Sequence, residues 1–329
     1  MPRPTEEQRR SVLSIDLGAS YTKLAWRPPW GEGNVFNSPS DSLEIDVKPH
    51  TPSIAVDLGD GQGFRFGTNA EKLNPGPNGR IHRNWKAILF DSGSDQIALS
   101  EAQEIAEGFL RWIKKKLGTC HPEYDLATAK LRICIPALNE SAHGEGRLRQ
   151  AAIAAGWSNA LEFISEPAAN LIGLASAGKN ITREVPTGFT IDWEKMFPRL
   201  FFDAMTLPAQ RRIPGKPVRF FVMDIGAFTT DAAICNITES GEVQICDQRS
   251  FEHGIAQIDE QLTGTIEACG LNPNMLSEWD FRAIKEDIYQ GKESVVTSGD
   301  QKITLGANCM NQQLSNFAKK AVEIRLIAV

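Results

Sequence analysis

Two short segments of this sequence place an aspartate two residues before a glycine and continue with small or hydroxyl residues. The first reads VLSIDLGASYTKL over residues 12–24, and the second reads FVMDIGAFTTDAA over residues 221–233. Glycine permits a tight turn close to a phosphate, and an aspartate supplies a hard oxygen ligand for Mg²⁺. Asp16 and Asp224 facing each other across a cleft would therefore suit a nucleoside triphosphate with its Mg²⁺.

Either segment alone is typical of an ordinary turn, because Asp and Gly are common turn residues. The repetition is more informative, since the two aspartates lie about 200 residues apart, which is too far for a short solenoid repeat. In each copy an apolar run leads into the turn and an alternating segment follows it. This pattern predicts two β-hairpins, each opening one lobe of the protein.

The residues between the two segments alternate helix and strand patterns. Apolar residues at helical spacing predict a helix over Ser100–Leu117, capped by Ser100 and closed by Gly118. A strand over Leu131–Ile135, a helix over Glu145–Ala155 and a strand over Leu161–Ile164 follow. Glu166 then precedes a proline at a strand-to-helix junction, which is a place where α/β sheets form clefts. The sequence therefore predicts an α/β fold.

The second half of the chain predicts fewer strands. The periodicity fails over residues 178–217, which are predicted to be an insertion or linker between lobe I (residues 1–177) and lobe II (residues 218–329). After the second hairpin the sequence predicts helices over Gln257–Cys269, Asp280–Glu293 and Gln312–Ile327, with a strand over Gln301–Leu305. No strand pattern follows the last helix, so lobe II is predicted to be incomplete.

The composition favours a globular protein with a small-molecule or protein partner. The chain has 35 Lys and Arg against 41 Asp and Glu, a net charge of −6, and it lacks a long apolar run. Neither nucleic acid nor a membrane is therefore a predicted partner. The start of the chain does not have a secretory signal pattern, and the six cysteines form no CxxC pair, so we expect a cytoplasmic location with reduced thiols.

Five ordered segments resemble the ATPase domain of DnaK-type heat-shock chaperones. They are IDLGASYTKL, TPSIAV from Thr51, ICIPALNES from Ile133, ISEPAANLIGLASAG from Ile164 and VMDIGAFTTDAAI from Val222. The resemblance covers about residues 11 to 329 and implies a two-lobed actin-like ATPase built from duplicated ribonuclease-H-like units. It further implies that the protein binds ATP or ADP with Mg²⁺, and that lobe closure couples the nucleotide state to a protein client or co-chaperone.

The resemblance also implies a role for each matching residue. Asp16 and Asp224 would hold hydrated Mg²⁺, Lys86 would reach the terminal phosphate, and Glu166 would position or deprotonate the attacking water. The phosphate-binding residues would be Gly18, Ala19, Ser20 and Tyr21 in the first hairpin and Gly226, Ala227, Phe228 and Thr229 in the second. Thr229 would lie near the γ-phosphate with Asp231 beside it in the cleft, Gly254 would close over the phosphates, and Lys292 is a candidate for the adenine side.

Ordinary structural roles remain open for two of these residues. Lys86 follows a tryptophan in a segment three residues longer than the family pattern, so a solvated lysine remains the alternative. Glu166 could be an acid favoured by the dipole of the helix that it opens.

The chain also departs from the chaperone pattern. Ala19 replaces a threonine, and Ala227 and Phe228 replace two glycines that let backbone amides approach the phosphates. A positive φ at Phe228 would strain the turn, so ATP hydrolysis is predicted to be slow or absent. The glycine-rich turn that contacts adenosine and the peptide-binding domain are both missing from the sequence. A catalytically weak, nucleotide-dependent scaffold or regulator is the main alternative. A small-molecule kinase is less favoured, because such enzymes use a cleft aspartate as the base and Glu166 stands here.

Overall fold

The structure is a computed structural model that describes most of the chain. The described residues are 10–28, 41–46, 50–76, 78–91, 93–137, 141–157, 161–170, 218–237, 243–251, 253–273, 276–298, 301–306 and 308–328. The predicted insertion at 178–217 lies outside them, so it and the domain boundaries drawn from it stay predictions. No helix within these ranges is long and apolar enough to cross a membrane.

Lobe I is built around a sheet that continues from the first hairpin. Its strands are β1 (Val12–Leu17), β2 (Tyr21–Arg27), β3 (Asp41–Leu43), β4 (His50–Pro52), β7 (Lys130–Ile135) and β8 (Leu161–Ser165). The order is β3-β2-β1-β7-β8, with β4 also paired to β2. Strand β1 is antiparallel to β2 and parallel to β7, so the predicted hairpin forms one half of an α/β sheet. A separate pair joins β5 (Ala55–Asp57) to β6 (Arg80–His82).

Four helices cover this sheet: α1 (Gly67–Glu71), α2 (Trp85–Phe90), α3 (Gln96–Cys120) and α4 (Ser141–Ala154). Apolar residues of α3, including Phe109 and Ile113, are fully buried in one core with the strand residues Leu13 and Ile15. The predicted cap at Ser100 is wrong, because the Asp95 side chain accepts the N–H groups of residues 97 and 98 and starts the helix earlier. The helix also continues through the predicted stop at Gly118 to Cys120, so one exposed glycine does not end it.

Lobe II begins with the second predicted hairpin. Its elements are β9 (Val218–Ile225), β10 (Thr230–Ile237), β11 (Val243–Phe251), α5 (Ala256–Ala268), α6 (Glu278–Tyr289), β12 (Ser294–Ser298), β13 (Gln301–Leu305) and α7 (Asn311–Ala328). The order of the main sheet is β11-β10-β9. The β12–β13 hairpin packs with α5, α6 and α7 around a second core that includes Leu262 and Met310. Strand β12 is an element that the sequence analysis did not predict.

The two lobes place their Asp-x-Gly hairpins differently. In lobe I the hairpin strand β1 lies in the middle of the sheet, whereas in lobe II the equivalent strand β9 is the last strand of the described sheet. The described residues after β11 add no strand to that sheet. The hairpin turns of β1–β2 and β9–β10 nevertheless meet at one cleft.

Candidate functional site

The turns of both hairpins line one cavity of about 1140 Å³. Of the fifteen site residues predicted from the sequence, the twelve that line it are Asp16, Gly18, Ala19, Ser20, Tyr21, Lys86, Glu166, Asp224, Gly226, Ala227, Phe228 and Thr229. They come from β1, β2, α2, the helical residues 166–170 and the β9–β10 turn. The fold therefore collects segments that are far apart in the sequence at one place.

The first turn depends on the glycine after Asp16. A Cβ atom added to Gly18 would lie 2.3 Å from the carbonyl oxygen of Tyr21, so close backbone approach excludes any side chain there. Asp16 stands opposite Lys23 in the hairpin register, and their charged groups are 3.9 Å apart. Burial raises the pKa of Asp16, and Lys23 works in the opposite direction. The first hairpin therefore presents the Asp16 carboxylate to the cavity with the Lys23 ammonium group beside it.

The second turn is held by the segment that leads into α5. The Gly226 N–H donates to the Thr229 carbonyl at 2.8 Å, which closes the turn. The carbonyl groups of Gly226 and Ala227 accept hydrogen bonds from the N–H groups of Ile255 and Ala256. A Cβ atom on Gly254 would lie 2.3 Å from the Ala227 carbonyl oxygen. Gly254 thus supports the turn from outside the cavity rather than closing over it.

Phe228 does not have the strained backbone that the sequence analysis anticipated. No described non-glycine residue has a positive φ, so the condition under which Phe228 would strain the turn is not met. The turn instead accommodates the phenylalanine in an ordinary conformation, and the residue lines the cavity beside Thr229. The substitution of glycine by phenylalanine therefore affects the space in the cleft rather than the stability of the backbone.

Lys86 and Glu166 form a buried ion pair at the wall of the cleft. The Lys86 Nζ donates to Glu166 Oε1 at 2.6 Å, and their side chains are only 6% and 15% exposed. Lys86 lies in α2, and Glu166 directly follows β8. Lys86 is therefore not a solvated surface residue, and the structure brings together two residues that are 80 positions apart.

Asp231 lies behind the second turn and is almost completely buried. It accepts hydrogen bonds from Thr229 Oγ1 at 3.0 Å and from the Ala137 N–H at 3.3 Å. Burial raises the pKa of Asp231 to about 6, and the carboxylate of Glu166 adds to the rise. Because residue 137 follows β7, this aspartate joins the second hairpin to lobe I.

Lys292 lies apart from the cleft. It is exposed in the segment after α6, and its backbone N–H bonds to the Asp287 carbonyl. It does not line the cavity.

Asn170 was not predicted from the sequence, yet it lines the cavity and donates from Nδ2 to Asp224 Oδ2 at 2.9 Å. Its position four residues after Glu166, on the same helix face, is the signal that could have identified it.

The charges of the cleft suit a hydrated divalent cation with phosphates. Burial raises the pKa of Asp224, the Glu166 carboxylate raises it further, and the hydrogen bond from Asn170 opposes both. In the described part of the chain no three His, Cys, Asp or Glu side chains are close enough to hold a metal ion together. Mg²⁺ commonly binds through one or two carboxylates, several waters and substrate phosphates, which fits Asp16 and Asp224.

Helix α6 of lobe II contacts lobe I beyond the cleft. Arg83 pairs with Glu278, and Arg282 pairs with the buried carboxylate of Glu71. The Arg282 guanidinium also lies 4.6 Å from the ring centre of Tyr21. A second cavity of about 1340 Å³ lies between these elements and shares several lining residues with the first. The lobes are therefore joined by charged contacts beside the candidate site.

Comparisons with known proteins identify the fold. No protein-family model matches the chain, and neither does any curated protein at the level of sequence. Among solved structures, MreB5 of Spiroplasma citri bound to ADP matches with a TM-score of 0.54 and 15% identity, over 98% of this chain and 79% of that one. MreB5 of Spiroplasma citri bound to AMPPNP matches with a TM-score of 0.56 and 14% identity, over 99% and 79%.

These similarities confirm the predicted α/β fold of the actin-like type. At 15% and 14% identity they bear on the fold alone, and they do not support the heat-shock-chaperone type.

Proposed function

We propose that this protein binds ATP and ADP with Mg²⁺ between its two hairpins and hydrolyses ATP slowly. The observation that carries this proposal is the convergence of both Asp-x-Gly turns, Lys86 and Glu166 on a single cavity. The actin-like fold supports it, as do the solved structures of MreB5 with ADP and AMPPNP. The volume of about 1140 Å³ is sufficient for a nucleotide.

The two hairpins would bind the phosphates. The backbone amides at the turns after Gly18 and Gly226 are the donors suited to phosphate oxygens. Asp16 and Asp224 would hold the water shell of Mg²⁺, which neutralises the charge that develops on the β- and γ-phosphates. Thr229 adds a hydroxyl donor at the second turn, although its Oγ1 bonds to Asp231 in this structure.

Lys86 and Glu166 would act on the terminal phosphate and the attacking water. In this structure each neutralises the other. A bound γ-phosphate would offer Lys86 Nζ a more negative partner, which frees Glu166 Oε1 to accept a hydrogen bond from water. Glu166 would then orient that water for in-line attack, and Lys86 would stabilise the transition state. The need to break this ion pair first is a second reason, besides Phe228, to expect slow hydrolysis.

Lobe closure would then couple the nucleotide state to a partner. The chaperone part of this proposal, with a protein client or co-chaperone, rests on the ordered sequence motifs. A nucleotide-dependent scaffold with negligible hydrolysis is the second candidate function. The observation that favours it is the Phe228 side chain at the cavity wall, where the chaperones that the sequence resembles have glycine.

The binding test is a titration of the full chain with Mg²⁺-ADP and Mg²⁺-ATP by calorimetry. We expect Asp16→Asn and Asp224→Asn each to weaken Mg²⁺-dependent binding by about 10-fold or more, because each removes a charge that holds the hydrated cation. Asp60→Asn is the control, since Asp60 is an aspartate paired with Arg65 on a remote turn. Unchanged binding in both cleft variants would refute the assignment of the two aspartates.

The hydrolysis test is a single-turnover measurement of phosphate release. We expect the double variant Ala227→Gly, Phe228→Gly to raise the rate by roughly 10²-fold, if one recovered amide contact stabilises the transition state as in an oxyanion hole. A variant that binds Mg²⁺-ATP as tightly as wild type and hydrolyses it no faster would favour the scaffold.

A further inference from the structure

Asn170 makes a hydrogen bond that crosses the cleft from lobe I to lobe II. Its Nδ2 donates to Asp224 Oδ2 at 2.9 Å, while Glu166 lies four residues earlier in the same helical segment. Side chains at this spacing lie on one face of a helix. One helical turn therefore carries both Glu166, which would orient the water, and Asn170, which contacts Asp224 of the opposite lobe.

The exposure of Asn170 shows that it does not fill a core. It is exposed to the cavity and lines it together with Asp16, Glu166 and Asp224. A packing role would place the side chain among apolar neighbours, whereas here its amide donates to the Asp224 carboxylate.

A neutral amide donor such as Asn170 suits the Asp224 carboxylate, which must remain able to bind a hydrated cation. Asp224 shares the cavity with the carboxylates of Asp16 and Glu166, whose negative charges repel its own. A lysine at position 170 would fix Asp224 but would compete with a divalent cation for its charge. An amide N–H fixes one oxygen without adding charge, so the carboxylate remains available to the water shell of the cation.

We propose that Asn170 is the positioning residue for Asp224, and that it links the cation site of lobe II to Glu166 in lobe I. This inference rests on the proposed nucleotide binding. Loss of Asn170 should therefore reduce the gain in nucleotide affinity that Mg²⁺ provides. The affinity for nucleotide without metal should stay the same.

The test measures the dissociation constant of ADP with excess Mg²⁺ and with EDTA, and takes the ratio of the two. In Asn170→Ala we expect the gain from Mg²⁺ to fall about 10-fold, the lower end of the range for residues that orient metal ligands. Asn170→Asp keeps the size but loses the donor and adds a like charge, so it should lose at least as much. Asn170→Gln keeps an amide donor in a roomy cavity and should restore most of the gain.

Asn236→Ala serves as the matched control, because the Asn236 side chain also makes a hydrogen bond, accepting at Oδ1 from Arg219 Nε at 3.4 Å near the far end of β10. It should leave the ratio within about twofold of wild type. Equal losses in the alanine and glutamine variants, or a loss of metal-free affinity in all Asn170 variants, would show a structural role and overturn the inference.

The same experiment separates the two levels of proposal. If Asp224→Asn lowers the gain from Mg²⁺ but Asn170→Ala does not, the positioning role is overturned and nucleotide binding stands. If the wild-type chain binds no ADP with or without Mg²⁺, both are overturned.

Discussion

The two Asp-x-Gly hairpins share a sequence pattern but differ in the residue that stands opposite the aspartate. In the first hairpin Asp16 is paired across the strands with Lys23, a residue of opposite charge. In the second hairpin Asp224 is paired with Asp231, a residue of the same charge. Like charges directly opposite each other destabilise a strand pair. The second hairpin compensates through other segments, with Asn170 bonded to Asp224 and the Ala137 N–H bonded to Asp231.

The strands that carry the two aspartates also differ in burial. The apolar residues Leu13, Ile15 and Leu17 of β1 are completely buried. In β9, Phe221 and Ile225 are 37% and 42% exposed. Strand β1 is therefore buried within its sheet, whereas β9 is partly exposed, and the second hairpin is additionally held by contacts with α5, Asn170 and the Ala137 N–H. We infer that ligand binding in the cleft changes the geometry of the second hairpin more than that of the first.

The largest expected contrast concerns stability. Leu13→Ala should lower the free energy of unfolding by about 4 kcal/mol, because it leaves a cavity in a closed core. Phe221→Ala removes a larger but partly exposed side chain and should cost about 1 kcal/mol. Urea unfolding followed by tryptophan fluorescence measures both. Equal losses would contradict the different burial of the two strands.

The next contrast concerns pH and Asp231. Its pKa is raised from 3.8 to about 6 by burial, so the folded form binds a proton more tightly than the unfolded chain does. Stability should therefore fall as pH rises from about 4 to about 6. Asp231→Asn imitates the protonated form, so it should remove this slope and gain about 3 kcal/mol at pH 7, since one pKa unit is about 1.4 kcal/mol.

Thermal unfolding across that pH range tests this prediction against Asp247→Asn, which removes one exposed negative charge from the neighbouring strand β11. If wild type and Asp231→Asn keep parallel pH profiles, Asp231 does not titrate in this range.

A smaller contrast concerns the turn glycines. An added Cβ lies 2.3 Å from backbone oxygen at Gly18 but 3.1 Å at Gly226. Gly18→Ala should therefore lower the free energy of unfolding by about 2 kcal/mol, and Gly226→Ala should lower it by less than ~1 kcal/mol. Gly264→Ala in α5 meets no atom within 4 Å and should stabilise the protein by up to about 1 kcal/mol. Chemical denaturation of the three variants gives the order, and a reversal of Gly18 and Gly226 would argue against the backbone approach in the first turn.

The smallest effect is expected at the ion pair of the first hairpin. Lys23 is 66% exposed, and its charge lies 3.9 Å from Asp16. Lys23→Ala should change the free energy of unfolding by no more than about 0.5 kcal/mol, and less at high salt. Denaturation at two salt concentrations tests this, and a loss above about 2 kcal/mol would show that Lys23 has a packing role.

Local patterns predicted the hairpins and most helices of this fold. Strands β1 and β9 were predictable because an apolar run ends at a glycine, and α5 because its apolar residues recur at helical spacing. Strand β12 was missed although Val295 and Val296 precede a Gly-Asp pair typical of a hairpin turn. The predicted actin-like fold depended on the order of five motifs, each of them weak alone.

The contacts of the site were less predictable than its residues. The resemblance pointed to Lys86 and Glu166, but their ion pair joins positions 80 residues apart, and no local pattern reports such a distance. The backbone of Phe228 could not be derived either, because the sequence does not fix the sign of φ at a turn residue. Asn170 was missed because an asparagine in a helix is ordinary until its partner is known.

The contacts of α6 bear on how long a bound molecule would stay in the cleft. Separating the lobes takes Arg282 away from Glu71, whose side chain is 2% exposed, and leaves a charged group without its partner in a buried place. A barrier of this kind acts on dissociation more than on affinity, so the residence time of a ligand would be set by α6 rather than by the hairpins that hold it. Movement of α6 away from lobe I would then limit how fast a ligand leaves the cleft.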